Sequence, residues 1–466
     1  LAIITLALLS CEGLAVAYHE ALMPFLYSAV ITAVLGVLFW TFFRHNHHNL
    51  DMHRKDAYFT VVFSWFIMGV VGALPYLFSH AIPLPVNAFF ESVSGFTTTG
   101  SSILTDIEAL PKSILFWRSL THWIGGIGII VLIIVILPSL KIGGYHLFTL
   151  ESSLQEKLQP RIKAVGLRLL MIYVLLTLAE VLFLMFGHMN LYESVCHAFG
   201  TIATGGFSPK NTSIADYSPY IQYVVMVFML LAGVNFAIHY YILNRNFKKV
   251  KENEEVRFYL MMILIIGSII TAILFFKMHK PLELSFRESF FQVISMVTCT
   301  GFASADYLQW PTVAWMIIFF TMFLGGSTGS TAGGIKMVRH LVLFKNFRNI
   351  IRKRLSPNAV LSVHLNAKKL NPDTNNAILT FITVYFFVFA VGTFLLLLLG
   401  IDSKTASSSV ATCMAGIGPG IGSVGPVGNF AHLPATAKLI LTILMITGRL
   451  EIYPIIALFT RNFWKR

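Results

Sequence analysis

Charge is what this sequence has least of. Only 12% of its 466 residues are Asp, Glu, Lys or Arg, about half the share of a soluble protein, while 56% are hydrophobic. A soluble core of this size cannot hide that much apolar surface, so lipid must be the solvent for much of the chain. A cytosolic enzyme, a secreted disulfide scaffold and a disordered regulator are excluded together. Cysteine is also scarce. Cys11, Cys196, Cys299 and Cys413 lie far apart with no CxxC pair and no metal-ligand spacing, so they read as small buried residues. Catalytic signatures are missing too: there is no HExxH, no GxSxG elbow and no His/Asp relay inside an apolar segment. The chain is read as no enzyme.

What is present is a series of long apolar runs, each about the 20 residues a spanning helix needs. They fall near 2–17, 21–43, 57–79, 112–138, 165–188, 217–243, 257–277, 312–347 (interrupted), 376–400 and 435–460. The first reads as an incomplete helix. Four shorter Gly/Thr-rich stretches, at 86–101, 191–207, 286–303 and 404–420, are too polar to span and read as re-entrant. The net charge of +13 is explained by sidedness. Of 34 Lys and Arg, 25 lie in connections near 44–55, 141–168, 245–257, 336–369 and 461–466, which the positive-inside rule places in the cytoplasm. Loops 44–55, 141–163, 245–257 and 336–373 and the C-terminus are therefore expected inside, and the re-entrant stretches outside. Nucleic acid has no place as a partner. His45, His47 and His48 read as a solvated face.

The re-entrant stretches end alike: Phe96-Thr97-Thr98-Thr99-Gly100, Thr201-Ile202-Ala203-Thr204-Gly205, Val297-Thr298-Cys299-Thr300-Gly301 and Met414-Ala415-Gly416-Ile417-Gly418. Aligned in this way, their glycines are 105, 96 and 117 residues apart. The expected fold is an all-α polytopic membrane protein. Two leading helices (1–43) precede four M1–P–M2 repeats, at 56–140, 164–246, 255–350 and 374–466, around a pseudo-fourfold central pore. Side chains of this kind bring no charge, so any ligand must be met by backbone carbonyls, and a carbonyl ring can replace the hydration shell of a monovalent cation. The candidate ligands are the carbonyls of Thr98, Thr99, Gly100, Ala203, Thr204, Gly205, Cys299, Thr300, Gly301, Gly416, Ile417 and Gly418. Each short helix turns its negative C-terminal end to the centre, which favours a cation. Outer acids such as Asp106, Glu108, Glu193, Glu283, Asp306 and Asp402 either concentrate cations at the mouth or simply solvate loops.

Segment 312–347 contains Gly325-Gly326-Ser327-Thr328-Gly329-Ser330-Thr331-Ala332-Gly333-Gly334, five glycines in ten residues, at about 1 kcal/mol of helix stability lost for each. Such a break must face protein or a water-filled cavity. It reads as a flexible constriction below the ring. No Gly-Lys-Ser/Thr follows, so it is no P-loop. Arg449, inside the last apolar run, costs about 2.5–3.5 kcal/mol at a helix centre and is expected to hold this loop through its carbonyls. Gly125 and Gly126 read as a close helix contact.

These residues resemble the Trk/Ktr/HKT superfamily of potassium transporters, in particular its TrkH-type members, over essentially the whole chain. The resemblance rests on Phe89-Phe90-Glu91-Ser92 leading to Thr97-Thr98-Thr99-Gly100, on Ile202 to Ser208, on Thr300-Gly301-Phe302, on Gly418-Pro419-Gly420 and on Gly448-Arg449-Leu450-Glu451-Ile452. It implies K⁺ as the transported ion, with Gly100 favouring potassium over sodium, no organic cofactor, and an intramembrane gate at 325–334 with Arg449. It also implies a bacterial inner-membrane location, a homodimer and a cytosolic nucleotide-binding (RCK/KTN-type) regulatory subunit. The basic 336–369 segment offers that subunit, or lipid headgroups, a surface. Ala415-Gly416 departs from the family's usual Asn pair. Channel-like flux and coupling to H⁺ or Na⁺ both stay open, as do a sodium-permeable Ktr-like transporter and a non-conducting scaffold or receptor.

Overall fold

The computed structural model describes residues 1–44, 54–131, 159–359 and 361–464. The histidines His45, His47 and His48, the end of the first repeat and most of 141–163 lie outside them. Helices α1 (Ala2–Ala17) and α2 (Met23–Arg44) pack against each other as a leading pair. Four units follow. The first comprises α3 (Arg54–Phe78), α4 (Pro85–Phe96) and α5 (Lys112–Val131). The second has α6 (Gln159–Phe186), α7 (Leu191–Ile202), α8 (Pro219–Ala232) and α9 (Phe236–Leu243), followed by the short α10 (Phe247–Glu252). The third has α11 (Glu254–Met278), α12 (Leu282–Val297), α13 (Thr312–Thr321) and α14 (Met337–Leu355). A two-stranded hairpin, β1 (His364–Leu365) with β2 (Lys368–Lys369), leads to the fourth. That unit has α15 (Pro372–Leu398), α16 (Ser403–Ala415), α17 (Ala435–Arg449), α18 (Tyr453–Leu458) and α19 (Arg461–Trp464).

Among the described residues five helices, α2, α3, α6, α11 and α15, are long and apolar enough to cross a membrane. Four of these five open a unit. Their apolar residues run all round the helix, as a lipid-facing surface requires, and polar caps stop them. The Asn253 side chain accepts from Val256 N at the start of α11, and that of Asn371 accepts from Asp373 N at the start of α15. The short helices α4, α7, α12 and α16 are buried instead. Pro85 opens α4, and Asn190 and Asp402 cap α7 and α16.

The second helices depart from the expected runs. The 217–243 run is a broken span: α8 and α9 meet at 100°. The break is made by Gly233, whose carbonyl leaves the helix to accept from Ser327 N (2.8 Å), and by Asn235, whose side chain caps Ala237 N (2.8 Å). The 435–460 run ends at Arg449. Glu451 and Ile452 adopt φ of 56° and 66°, and Pro454 cannot donate back into a continued helix. The 312–347 run is interrupted between Thr321 and Met337, as its glycines imply. The second helix of each of units 1, 2 and 4 packs on the short helix of the next: α5 on α7, α8 on α12 and α17 on α4. Unit 4 thus closes on unit 1 and the four short helices face one centre.

Candidate functional site: a ring of four loops

Each short helix ends in the same backbone sequence. After the last helical turn one residue takes the left-handed conformation, the next does not, and the following glycine does again. These residues are Thr98 (φ 52°) and Gly100 (80°), Thr204 (53°) and Gly206 (79°), Cys299 (57°) and Gly301 (80°), and Gly416 (69°) and Gly418 (103°). The second loop is therefore one residue out of the register that sequence alignment gives it. Gly206 is the partner of Gly100, Gly301 and Gly418, and the equivalent triad is Thr204-Gly205-Gly206 rather than Ala203-Thr204-Gly205. Hydrogen bonds agree: Thr99 N binds Ser94 O, Gly205 N binds Gly200 O, Thr300 N binds Ser295 O and Ile417 N binds Thr412 O. Ala203 ends α7 just as Thr97 ends α4.

In this register the loops make a closed ring. A β-carbon on Gly100 would lie 2.2 Å from the Gly205 carbonyl oxygen, one on Gly206 2.0 Å from that of Thr300, and one on Gly301 1.6 Å from that of Ile417. A β-carbon on Gly418 would lie 3.0 Å from the Thr99 carbonyl oxygen, which completes the circuit. Only glycine supplies both the positive φ and this approach. The carbonyls of Thr99, Gly205, Thr300 and Ile417 thus occupy equivalent places. Loops 1 and 3 carry an added clamp: Thr97 and Thr99 hydroxyls meet at 2.8 Å, and Thr298 and Thr300 do the same. Loops 2 and 4 have Ala203 and Ala415 where the clamping threonines stand.

Buried polar side chains tie the ring to its short helices. Nine residues before Gly100, Gly206 and Gly301 stand Glu91, His197 and Gln292. Glu91 accepts from Ile103 N (2.9 Å) and the Ser102 hydroxyl (2.9 Å), His197 Nε2 meets Ser208 Oγ (3.0 Å), and Gln292 Nε2 donates to Ala305 O (3.3 Å). In the fourth unit Ser408 bonds both N and O of Ile421. Arg118 is buried within α5. It pairs with Glu91 (2.7 Å) and donates to Ser208 O (3.0 Å), so it links loops 1 and 2. Glu91, Arg118, His122, Glu180 and His197 are all buried; sequence reasoning placed only Arg449 at such depth. The signal for Glu91 was a lone acid in an otherwise apolar helix. Arg118 sits 27 residues away on another helix and had none.

The glycine-rich segment lies directly below the ring. Its neck is closed by Gly325 N to Ile335 O (2.9 Å) and Met337 N to Gly326 O (3.0 Å). Thr331 Oγ1 donates to Ile202 O at the end of α7 (3.0 Å), and a β-carbon on Gly333 would lie 2.1 Å from Ala415 O at the end of α16. Thr328 N donates to Glu255 (2.7 Å), and Phe236 N to Gly329 O (3.2 Å). Arg449 reaches this segment. Its Nη1 donates to Thr331 O and its Nη2 to Gly125 O, both at 2.9 Å. Gly125 is close-packed, with a β-carbon 1.9 Å from Phe96 O. Glu451 faces elsewhere, onto Arg339 at 2.6 Å.

On the ring's other side a cavity of about 170 Å³ is lined by Gly100, Gly206, Gly301 and Gly418 together with Arg118 and Lys210. The acids near it are engaged. Asn211 donates to Asp106 (2.9 Å) and holds its carboxyl below the usual range, while Glu108 pairs with Lys210 (3.3 Å). Asp306 and Asp402 cap helices, and Glu283 pairs with Arg287 (2.8 Å). Each of these acids braces a loop or a helix end.

The family described as TrkH, cation transport protein, matches this chain over residues 23–466. The Trk system potassium uptake protein TrkH of Salmonella typhimurium is 36% identical over 94% of this chain and 91% of its own length. The Trk system potassium uptake protein TrkG of Escherichia coli is 34% identical over 99% and 96%. The crystal structure of the potassium transporter TrkH from Vibrio parahaemolyticus superposes with a TM-score of 0.91 at 30% identity, covering 100% of this chain and 97% of that one.

Proposed function

Since the chain belongs to the TrkH family of cation transport proteins, we propose that it carries K⁺ across the membrane through the four-loop ring. The carbonyls of Thr99, Gly205, Thr300 and Ile417, with those of the residues beside them in each triad, replace the ion's water. The closed circuit of glycine-to-carbonyl approaches is the observation that carries this reading. Four carbonyl dipoles and the C-terminal ends of α4, α7, α12 and α16 all present negative charge to the axis, and the side chains of the triads add none.

The 325–334 segment acts as the gate and Arg449 as its latch. The guanidinium holds the loop to α5 by two charge-assisted hydrogen bonds. It also sets a positive charge beneath the ring, where a dehydrated cation is repelled. In this reading the membrane is the bacterial inner membrane, with the exposed basic end of α14 in the cytoplasm. Arg348, Arg352, Lys353 and Arg354 there offer the surface for a cytosolic nucleotide-binding regulatory subunit, and the working unit is a homodimer.

The test is cation flux into liposomes, comparing K⁺, Rb⁺, Na⁺ and Li⁺ for the unmodified protein and for Gly206→Ser. The Ser β-carbon would meet the Thr300 carbonyl at 2.0 Å and distort the ring. Flux preferring K⁺ and Rb⁺, with the preference cut about tenfold or more in Gly206→Ser, supports the ring; tenfold corresponds to about 1.4 kcal/mol. An unchanged preference in Gly206→Ser refutes it.

A further inference from the structure

Three of the four equivalent ring positions carry a β-branched side chain that is wholly buried behind the loop: Thr99, Thr300 and Ile417. The fourth, Gly205, carries none. Its backbone does not require glycine, for the left-handed residues of loop 2 are Thr204 and Gly206, and Gly205 lies between them outside that region. What excludes a side chain is His122, from α5 of the preceding unit. A β-carbon on Gly205 would lie 2.3 Å from His122 Nδ1. The imidazole is fully buried. It stacks on Phe207 with centroids 4.0 Å apart and planes 17° apart, and its Nδ1 accepts from Phe207 N (3.4 Å). One helical turn earlier, Arg118 places its guanidinium 3.6 Å from the same Phe207 ring centre.

We propose that His122 is a positioning residue for ion selectivity: its imidazole fills, from the neighbouring unit, the space that the side chains of Thr99, Thr300 and Ile417 fill in their own loops. This rests on the ring being the selective element. The physical reason is freedom. Loop 2 has two consecutive glycines and no Thr–Thr clamp, so its peptide planes are the least restrained of the four. A carbonyl that can rotate away from the axis no longer distinguishes a larger ion from a smaller one. His122 stops that rotation by contact with Gly205 on one side and by the hydrogen bond from Phe207 on the other.

The experiment measures K⁺-to-Na⁺ flux ratios in liposomes for His122→Ala, Gly205→Val and the double variant. The elution profile and unfolding midpoint of each are recorded as a check on folding. His122→Ala is expected to lower the ratio about tenfold while leaving Na⁺ flux measurable. Gly205→Val alone is expected to lower flux or ratio at least as far, because its side chain lands on the imidazole. In the double variant valine takes the place the imidazole vacates, and the ratio should rise well above that of His122→Ala, to within a few-fold of the unmodified protein; a histidine that only packs would lower the unfolding midpoint in His122→Ala without lowering the ratio. A wild-type ratio in His122→Ala, or a double variant no better than Gly205→Val, overturns the proposal. Should His122→Ala not fold, His122→Ser takes its place, with the same expected loss of ratio and the same recovery on adding Gly205→Val. If Gly206→Ser also keeps the wild-type ratio, the ring reading itself has failed. If Gly206→Ser loses the ratio and His122→Ala does not, only the role of His122 has.

Discussion

Glu91 and Arg118 are both enclosed at membrane depth, 2.7 Å apart. Two such charges survive there because each has further partners besides the other: Glu91 accepts from Ile103 N and Ser102, and Arg118 donates to Ser208 O. Removing one partner leaves the other charged and unpaired. Glu91→Ala is expected to cost about 3–5 kcal/mol, read as a fall in the unfolding midpoint of the detergent-purified protein. Replacing both residues by apolar side chains of similar volume is expected to cost less than either single change. A single Glu91→Ala as stable as the parent would mean that the pair does not brace loops 1 and 2. Little of this was legible beforehand. A partner 27 residues away on another helix, as Arg118 is to Glu91, leaves no periodic trace. The second loop was misread for a related reason. Gly205 and Gly206 are chemically identical, so composition cannot say which one takes the positive φ; the chain geometry at Thr204 does.

At the level of elements, the helices that open the units and those that follow them have different tasks. The former (α3, α6, α11 and α15) are unbroken apolar rods, and their positions were readable from length and hydropathy alone. The short helices were readable too, since Gly/Thr-rich stretches of about three turns recur between them. Where sequence reading failed was inside 217–243 and 435–460, each apolar on average. The breaks there combine local features, the Asn235 cap and Pro454, with tertiary partners, Ser327 N on Gly233 O and Arg339 on Glu451, and the tertiary partners leave no local pattern. The break that was legible, 325–334, is the one with enough glycine to fail as a helix by itself. The latch proposed for it can be weighed. A hydrogen bond to a charged group is worth about 1.5–3 kcal/mol, and Arg449 makes two with the loop and α5. Arg449→Ala is expected to raise cation flux through reconstituted protein on the order of tenfold or more, with the K⁺ preference kept, since the ring is untouched. Flux at the parent level would remove Arg449 from the gate.

Over the whole molecule, the four ring loops are alike in backbone and unlike in chemistry. Loops 1 and 3 are fixed by threonine pairs, loop 4 by Ile417 in close packing, and loop 2 by a histidine from its neighbour. A homotetramer would have to repeat one solution four times; a single chain need not. The same freedom lets unit 3 alone carry the glycine-rich loop, lets unit 4 supply the arginine that bonds to it, and lets unit 1 supply the carbonyl of Gly125 that anchors the arginine. The basic helix α14 follows the glycine-rich segment directly through Ile335 and Lys336, so the proposed regulatory subunit, if it binds α14, has a continuous chain to the proposed gate.

The most direct measurement is a crystal structure with Rb⁺ in place of K⁺, collected at the rubidium absorption edge. An anomalous peak on the ring axis is expected among the carbonyls of Thr99, Gly205, Thr300 and Ile417, with the second loop contributing in the Thr204-Gly205-Gly206 register. No peak within coordination distance of that ring, in protein shown to carry Rb⁺ in liposomes, would contradict it.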